Sequence, residues 1–138
     1  MADLPSVHAA EIEACTKIAQ GNADCPVFML NLNKYSAEAQ FPDGQLYNDY
    51  VSALETLLMQ VGGKMLWRTT VLGHVVGNQD IDEALGIWYP THQAFLNLMT
   101  APASHENMRL RALAVANADL HRCDALLNGR TGEQSYCV

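Results

Sequence analysis

Five polar side chains are the candidates for binding or transforming a small molecule: Asn31, Tyr35, Tyr47, Arg68 and His74. Neutral imidazole accepts protons near neutral pH, so His74 is the candidate general base. Arg68 carries a permanent charge that would bind a carboxylate or a carbonyl oxygen. The two tyrosines and Asn31 offer hydrogen bonds that would orient the same molecule. We therefore predict that His74 and Arg68 are catalytic and that Asn31, Tyr35 and Tyr47 bind the substrate.

Two of these residues also have structural interpretations, which the sequence leaves open. Burying a guanidinium is costly unless an anion meets it. An ion pair from Arg68 to Asp49, Glu55 or Asp124 therefore explains this arginine as well as an anionic ligand does. The side chain of Asn31 would equally satisfy backbone groups at an edge or an end of a sheet.

The remaining motifs predict neither a metal nor a cofactor. His121 and Cys123 would share one face of a strand, as two metal ligands do. A metal site needs three or four ligands, and no further residue has suitable spacing. Glycine-rich nucleotide loops, the G-x-S-x-G elbow and the H-E-x-x-H motif are absent from the sequence.

The other acids and histidines are predicted to be solvent-exposed. Asp80, Asp82 and Glu83 form a polar run that is typical of a solvated turn. His92 and His105 fall at predicted helix starts, where a charged imidazole is slightly disfavoured by the helix dipole.

Length and composition favour a single domain and exclude several classes of partner. Of the 138 residues, 49% are hydrophobic, which is enough to build a core. Only 17% are charged, which argues against a disordered chain. A net charge of −7 disfavours nucleic acid and anionic membranes, because both are negatively charged. No apolar run approaches the roughly 20 residues that span a bilayer. The first residues do not resemble a signal peptide, so we expect a cytoplasmic protein whose four cysteines are buried or free thiols.

Hydrophobic periodicity predicts four strands and four helices. Apolar residues at three- and four-residue steps mark the helices, and dense or β-branched runs between breakers mark the strands. The predicted strands are 27–35, 64–77, 84–89 and 119–127, and the helices are 7–20, 46–61, 91–101 and 104–117. Asp3 or Ser6 would cap the first helix, Thr91 the third and Ser104 the fourth, and Gly62-Gly63 would end the second. The second strand would be bent or bulged at Gly73. The first helix belongs to an N-terminal extension (1–25), followed by the main domain (26–128) and a tail (129–138).

This order of elements predicts an α+β domain with the ferredoxin-like βαββαβ arrangement. Its four-stranded antiparallel sheet would carry helices on one face and leave the other face bare. A bare face with apolar content has to be covered, and a second copy of the sheet is the simplest cover. We therefore expect a homodimer in which two sheets form an α/β barrel.

Strand alternation indicates which face would hold a ligand. Strand one places an apolar set on one face, Phe28, Leu30 and Leu32, and a mixed set on the other, Met29, Asn31, Asn33 and Tyr35. The apolar face suits the helices. The mixed face, joined by Arg68 from strand two, suits the interior of a barrel.

Several segments resemble an uncharacterised bacterial family, the domain of unknown function 1330, within the dimeric α/β-barrel superfamily. The resemblance covers roughly residues 26–127 and is carried by five segments: Phe28–Tyr35, Tyr47-x-x-Tyr50, Gly62-Gly63-Lys64, Ile87–Thr91, and Met99–Pro102 followed by Arg109 and Arg111. The sequence departs from the family pattern at Asn33 and at Ile87-Trp88. Relatives in the superfamily include cofactor-independent monooxygenases, muconolactone isomerases and polyketide cyclases, so the resemblance implies a fold and a dimer without fixing a reaction.

These observations favour a homodimer that binds a small organic molecule. Any chemistry would be isomerisation, cyclisation or oxygenation without a cofactor. Arg68 would bind an anionic or carbonyl oxygen, His74 would carry the proton, and Asn31 and Tyr35 would orient the substrate. A ligand-binding or purely structural dimer without turnover is the alternative.

Overall fold

The computed structural model describes residues 7–125. Eight helices and strands follow one another along this part of the chain: α1 Ala9–Gln20, β1 Val27–Tyr35, α2 Gln45–Val61, β2 Lys64–Thr70, β3 Glu83–Tyr89, α3 His92–Leu96, α4 Ser104–Ala114 and β4 Val115–Asp124. The predicted caps of the first helix, the end of the last predicted strand and the tail lie outside the described residues.

The four strands form one antiparallel sheet in the order β2-β3-β1-β4. The pairing of β1 with β3 sets Met29 opposite Ile87 and Asn33 opposite Glu83. The two central strands are therefore neighbours in space but not in sequence, and α2 with β2 connects them. The predicted α+β class, strand order and antiparallel sheet are confirmed.

Two helix ends carry the predicted capping residues, whereas Ser104 does not cap α4 but is its first residue, after Ala103 as N-cap. Gly62 ends α2 in the left-handed region at φ 83°, and its N–H donates to the last carbonyls of that helix. The Thr91 hydroxyl caps α3 by accepting a 3.0 Å hydrogen bond from the Ala94 N–H. No helix in residues 7–125 is long and apolar enough to cross a membrane.

Two strand boundaries differ from the predictions. Strand β2 ends at Thr70, and residues 71–82 form a loop. Strand β4 begins at Val115, because Val115 pairs with Tyr35 and continues the β1 ladder directly from α4. The helical pattern predicted as far as residue 117 gives way there to strand pairing with a distant segment.

The bulge in β2 lies at Leu66 and not at Gly73. Met65 pairs with Ile87 and Trp67 with Gly86, which leaves Leu66 as the additional residue. The bulge reverses the alternation, so Met65 and Arg68 lie on the same face of the sheet. Regular alternation along the strand predicts Met65 and Arg68 on opposite faces, and that prediction is wrong for this reason.

The helices cover the mixed face of the sheet and not the apolar face. Met29 and Leu85 pack against Leu58 of α2 in one buried cluster. The opposite face carries Phe28 against Trp67, with ring centroids 6.2 Å apart. The predicted assignment of the faces is thus inverted, because large apolar residues at positions 85 and 87 of β3 give the mixed face of β1 a core to pack on.

The cysteines follow the expectation in part. Cys15 is a buried free thiol and Cys123 is a half-buried one. Cys25 is disulfide-bonded, which the sequence did not predict.

Candidate functional site

A buried carboxylate, Glu83, lies at the centre of a network of four polar side chains. Tyr35 donates a 2.6 Å hydrogen bond to Glu83 Oε1, and Tyr47 donates a 2.7 Å bond to Oε2. Each phenol oxygen also accepts one bond: Tyr35 from Asn33 Nδ2 at 3.2 Å and Tyr47 from Arg68 Nη1 at 2.9 Å. All four hydrogen bonds of this network run in the direction of the carboxylate, so the network satisfies a negative charge in the protein interior.

The phenols at both ends of this carboxylate hold their protons firmly. Burial raises the pKa of Tyr35 strongly, and Glu83 adds to that shift although Asn33 opposes it. Burial also raises the pKa of Tyr47, again reinforced by Glu83 and opposed by Arg68. Both tyrosines therefore act as neutral hydrogen-bond donors at physiological pH.

Four elements bring the network together. Pairing of β1 with β3 sets Asn33 beside Glu83, and the Leu66 bulge directs Arg68 of β2 towards the helices. Helix α2 supplies Tyr47, whose ring packs edge-on against Tyr35 at 5.0 Å between centroids. The aromatic contacts fix the ring positions on which the two hydrogen bonds to the carboxylate depend.

A cavity of about 980 Å³ lies between the sheet and the helices. That volume suits a small organic molecule, since ligand pockets typically measure about 300–1,000 Å³. Its wall is largely apolar and includes Met29, Leu54, Leu57, Leu85, Ile87, Tyr89, Phe95, Leu98, Met108 and Leu120. The cavity is thus a hydrophobic chamber within one subunit, formed by the mixed face of the sheet.

Polar side chains interrupt this apolar wall, among them Asn31, Asn33, Tyr50, Asn107 and Arg111. Asn33 connects the cavity to the Glu83 network, because its amide donates to Tyr35. Burial raises the pKa of Tyr50, while Arg111 acts in the opposite direction, so the Tyr50 hydroxyl stays protonated beside a cation. These side chains offer hydrogen-bond donors and the positive charge of Arg111 to a bound molecule.

An ion pair joins α1 to β4 at the same cavity. Arg122 Nε donates a 2.8 Å hydrogen bond to Glu11 Oε1, and both residues belong to the cavity wall. Arg122 lowers the pKa of the Glu11 carboxyl through this bond and its charge. The N-terminal helix is therefore part of the chamber, with Ile12 and Cys15 also on its wall.

The structure brings together most of the predicted site residues. Tyr35, Tyr47 and Arg68 meet at Glu83, and Asn31 lies on the cavity wall with its amide donating to Met29 O at 3.2 Å. None of the predicted ion pairs of Arg68 forms among residues 7–125, and its partner is a phenol. His74 lies in the exposed loop 71–82 and does not line the cavity.

Two exposure predictions are wrong. Glu83, predicted in a solvated turn, is only 3% exposed, because it begins β3 opposite Asn33. His92, predicted at an exposed helix start, is buried, and its Nδ1 lies 2.9 Å from Cys25 O.

Three site residues were not predicted from the sequence: Glu83, Asn107 and Arg111. The signal for the last two was the poor apolar stripe of α4, whose buried face carries Ser104 and Asn107 in place of apolar residues. For Glu83 the run of acids beside it concealed the start of a strand.

One further cluster has the composition of a metal site. Donor atoms of Asp24, Cys25 and His92 lie within 4.8 Å of one another. The Asp24 carboxylate, however, accepts hydrogen bonds from three backbone N–H groups, those of Cys25, His92 and Gln93. Because Cys25 is disulfide-bonded as well, we interpret this cluster as a structural junction between β1 and α3.

Comparison with solved structures identifies the fold. A protein of unknown function from Rhodopseudomonas palustris is 24% identical, with a TM-score of 0.66 over 80% of this chain and 90% of that one. A dimeric protein of unknown function with a ferredoxin-like fold from Bacteroides fragilis is 13% identical, with a TM-score of 0.51 over 71% of this chain and 94% of that one. The fold is ferredoxin-like.

One of the solved structures similar to this chain is an enzyme. The hydroxynitrile lyase of Passiflora edulis is 16% identical, with a TM-score of 0.56 over 72% of this chain and 93% of the lyase. At this identity the likeness concerns the fold alone. No family model matches the sequence, and no curated protein matches it.

Proposed function

We propose that this protein binds a small organic molecule in the cavity between its sheet and its helices. The observation that carries the proposal is a chamber of about 980 Å³ whose wall is mostly apolar but includes several buried polar groups. A buried polar group is costly unless a hydrogen-bond partner satisfies it, and Asn107 Nδ2 on this wall has no partner among residues 7–125. The Glu83 network holds one end of the wall rigid, because it fixes Tyr35 and Asn33 by hydrogen bonds.

We propose a homodimer as the working unit. The face of the sheet without helices carries Phe28, Trp67 and Trp88, and Trp67 is 44% exposed. The loop after β2 exposes Leu72 and Val75 almost completely. A second copy of the chain would cover these groups, and the ferredoxin-like protein from Bacteroides fragilis is described as dimeric.

A cofactor-independent isomerase, cyclase or monooxygenase is the second candidate. It is favoured by the Tyr50 hydroxyl and the Arg111 guanidinium on the wall, which would stabilise negative charge on a carbonyl oxygen. The candidate base, His74, lies in the exposed loop 71–82. Catalysis with His74 would therefore require a partner subunit to bring this loop to the cavity. In this arrangement Arg68 and Tyr47 position Glu83 and do not contact the substrate.

The family resemblance supports the same proposal. Membership in the domain of unknown function 1330 would place this chain among dimeric α/β-barrel proteins, and the ferredoxin-like fold of the structural neighbours supports that wider group.

Binding of the neutral fluorescent probe Nile red tests the cavity directly. We would replace Leu120, which lines the cavity, with Trp to fill it. Leu113→Trp is the matched control, because Leu113 is similarly exposed, at 45% against 49%, and does not line the cavity. The proposal expects Leu120→Trp to abolish the fluorescence increase and Leu113→Trp to retain it. Equal binding by both variants, or none by the wild type, would overturn it.

A further inference from the structure

We propose that the molecule bound in the cavity is a small organic carboxylate, whose oxygens bind to Asn107 and Arg111 of α4. This inference rests on the proposed function and names the chemical class of its ligand. The two residues are four positions apart, so they lie one above the other on the same face of the helix. Both belong to the cavity wall.

Asn107 is a buried donor without a partner. Its side chain is 7% exposed, and its Nδ2 meets no hydrogen-bond acceptor among residues 7–125. An amide N–H that is buried without an acceptor is costly, and native proteins rarely retain one without a reason. An oxygen atom of a ligand in the cavity would supply the acceptor.

Arg111 is a half-buried cation without a carboxylate partner. The arginine two positions earlier, Arg109, pairs with Glu106 on the exposed side of the same helix, and Arg122 pairs with Glu11. No carboxylate within residues 7–125 lies at ion-pair distance from Arg111. Arg111 instead interacts with the phenol of Tyr50, which is neutral.

The charges around this part of the wall favour an anion. Glu11 on the wall is already neutralised by Arg122, and Asp119 accepts a hydrogen bond from Gln79. Asp119 keeps its charge, since Gln79 is neutral, but neither carboxylate forms an ion pair with Arg111. The guanidinium of Arg111 therefore remains available to an anion in the cavity. A guanidinium and an amide side by side match the two oxygens of a carboxylate.

The apolar remainder of the wall defines the rest of the ligand. Met29, Leu54, Ile87, Phe95 and Leu120 would surround a hydrocarbon or aromatic body. The ligand class is accordingly a monocarboxylate with an apolar body, because Arg111 is the cation on this wall that has no carboxylate partner among residues 7–125.

Matched pairs of probes test this inference by calorimetry on the full chain. The probes are 3-phenylpropanoate, 4-phenylbutanoate and octanoate, each compared with its own primary amide, which has the same body without the charge. We expect the wild type to bind at least one carboxylate more tightly than its amide, on the order of 10- to 100-fold. Arg111→Met should remove this preference, whereas Arg109→Met, a change on the exposed side of α4, should keep it.

A second variant tests the inference independently, in case Arg111→Met does not fold. Asn107→Asp preserves the size of the side chain and adds a negative charge to the wall, so it should weaken carboxylate binding and leave amide binding unchanged. Binding of carboxylate and amide within twofold of each other in the wild type would overturn the inference. So would a loss in Arg111→Met no larger than that in Arg109→Met, or no effect of Asn107→Asp.

The Nile red experiment separates this failure from failure of the proposed function. If Nile red binds, Leu120→Trp blocks its binding and no carboxylate binds more tightly than its amide, the cavity proposal stands and the carboxylate inference is wrong. If the binding of Nile red does not depend on Leu120, the cavity proposal and the carboxylate inference are both wrong.

Discussion

Tyr35 donates a 2.6 Å hydrogen bond to Glu83 Oε1 across 48 positions of sequence. Tyr47 completes the arrangement at the second carboxylate oxygen. A buried charge held in this way is strongly dependent on each partner, because removal of one leaves a polar atom unsatisfied.

Glu83→Gln should destabilise the protein by about 1–3 kcal/mol. The amide NH2 of glutamine would face a phenol that already donates its proton, so one hydrogen bond is lost inside the core. Urea unfolding measures the change. Glu106→Gln, the same substitution on the exposed side of α4, should shift the free energy of unfolding by no more than about 0.5 kcal/mol. Equal effects of the two substitutions would show that the Glu83 network contributes no stability.

Tyr35→Phe and Tyr47→Phe should each destabilise the protein, and their effects should not add. Both phenols bind the same carboxylate, so a double-mutant cycle should give a coupling energy of about 0.5–3 kcal/mol. The free energy of unfolding of the two single variants and the double variant provides the cycle. A coupling energy of zero would mean that the two bonds act independently and would contradict a shared network.

The sequence predicted the strand order, the antiparallel sheet and three of the Glu83 network residues. Periodicity and capping are local signals, and Gly62 and Thr91 end or begin helices where they were expected to. The bulge at Leu66 depends on pairing with β3, which a single sequence does not reveal. Which face of β1 is buried could not be predicted for the same reason, because it depends on the side chains that β3 and α2 pack against β1.

Asp24→Asn should destabilise the protein at pH 7, and the difference should diminish in acid. Burial pushes the pKa of Asp24 upwards, but backbone hydrogen bonds from His92, Gln93 and Cys25 outweigh it and hold the pKa below 3.8. A carboxyl whose pKa is lower in the folded than in the unfolded state stabilises the protein at pH values above its unfolded-state pKa. That stability is lost as the pH falls from 3.8 through the folded-state pKa.

Urea unfolding at pH 7 and at pH 3 measures this dependence. The expected loss in Asp24→Asn at pH 7 is about 1 kcal/mol. Asp43→Asn, at an exposed position, should change little at either pH. A difference between the wild type and Asp24→Asn that grows towards pH 3 would refute the interpretation of Asp24 as a charged acceptor for these three backbone N–H groups.

Gly86→Ala should disturb the bare face of the sheet. A Cβ atom at Gly86 would lie 2.5 Å from Trp67 Cε2 and 2.8 Å from Phe28 Cζ, so both rings must move. Overpacking of this kind costs about 1–3 kcal/mol. We expect a change in tryptophan fluorescence and, if a second copy covers this face, a weaker dimer by light scattering.

Gly73→Ala is the control for that substitution, because no heavy atom lies within 4 Å of its added Cβ. Its stability and fluorescence should match those of the wild type. Unchanged fluorescence in Gly86→Ala would argue against close packing of Trp67 on Gly86. A wild-type mass of 15.1 kDa in solution, that of one chain, would contradict the proposed dimer.

The most direct measurement of the central proposal is a crystal structure of the full chain grown with the carboxylate that binds most tightly. We expect electron density for the ligand between the sheet and α4, with its oxygens within hydrogen-bond distance of Asn107 and Arg111. Ligand density on the bare face of the sheet, or side chains that fill the cavity with no ligand in it, would contradict a carboxylate site at α4.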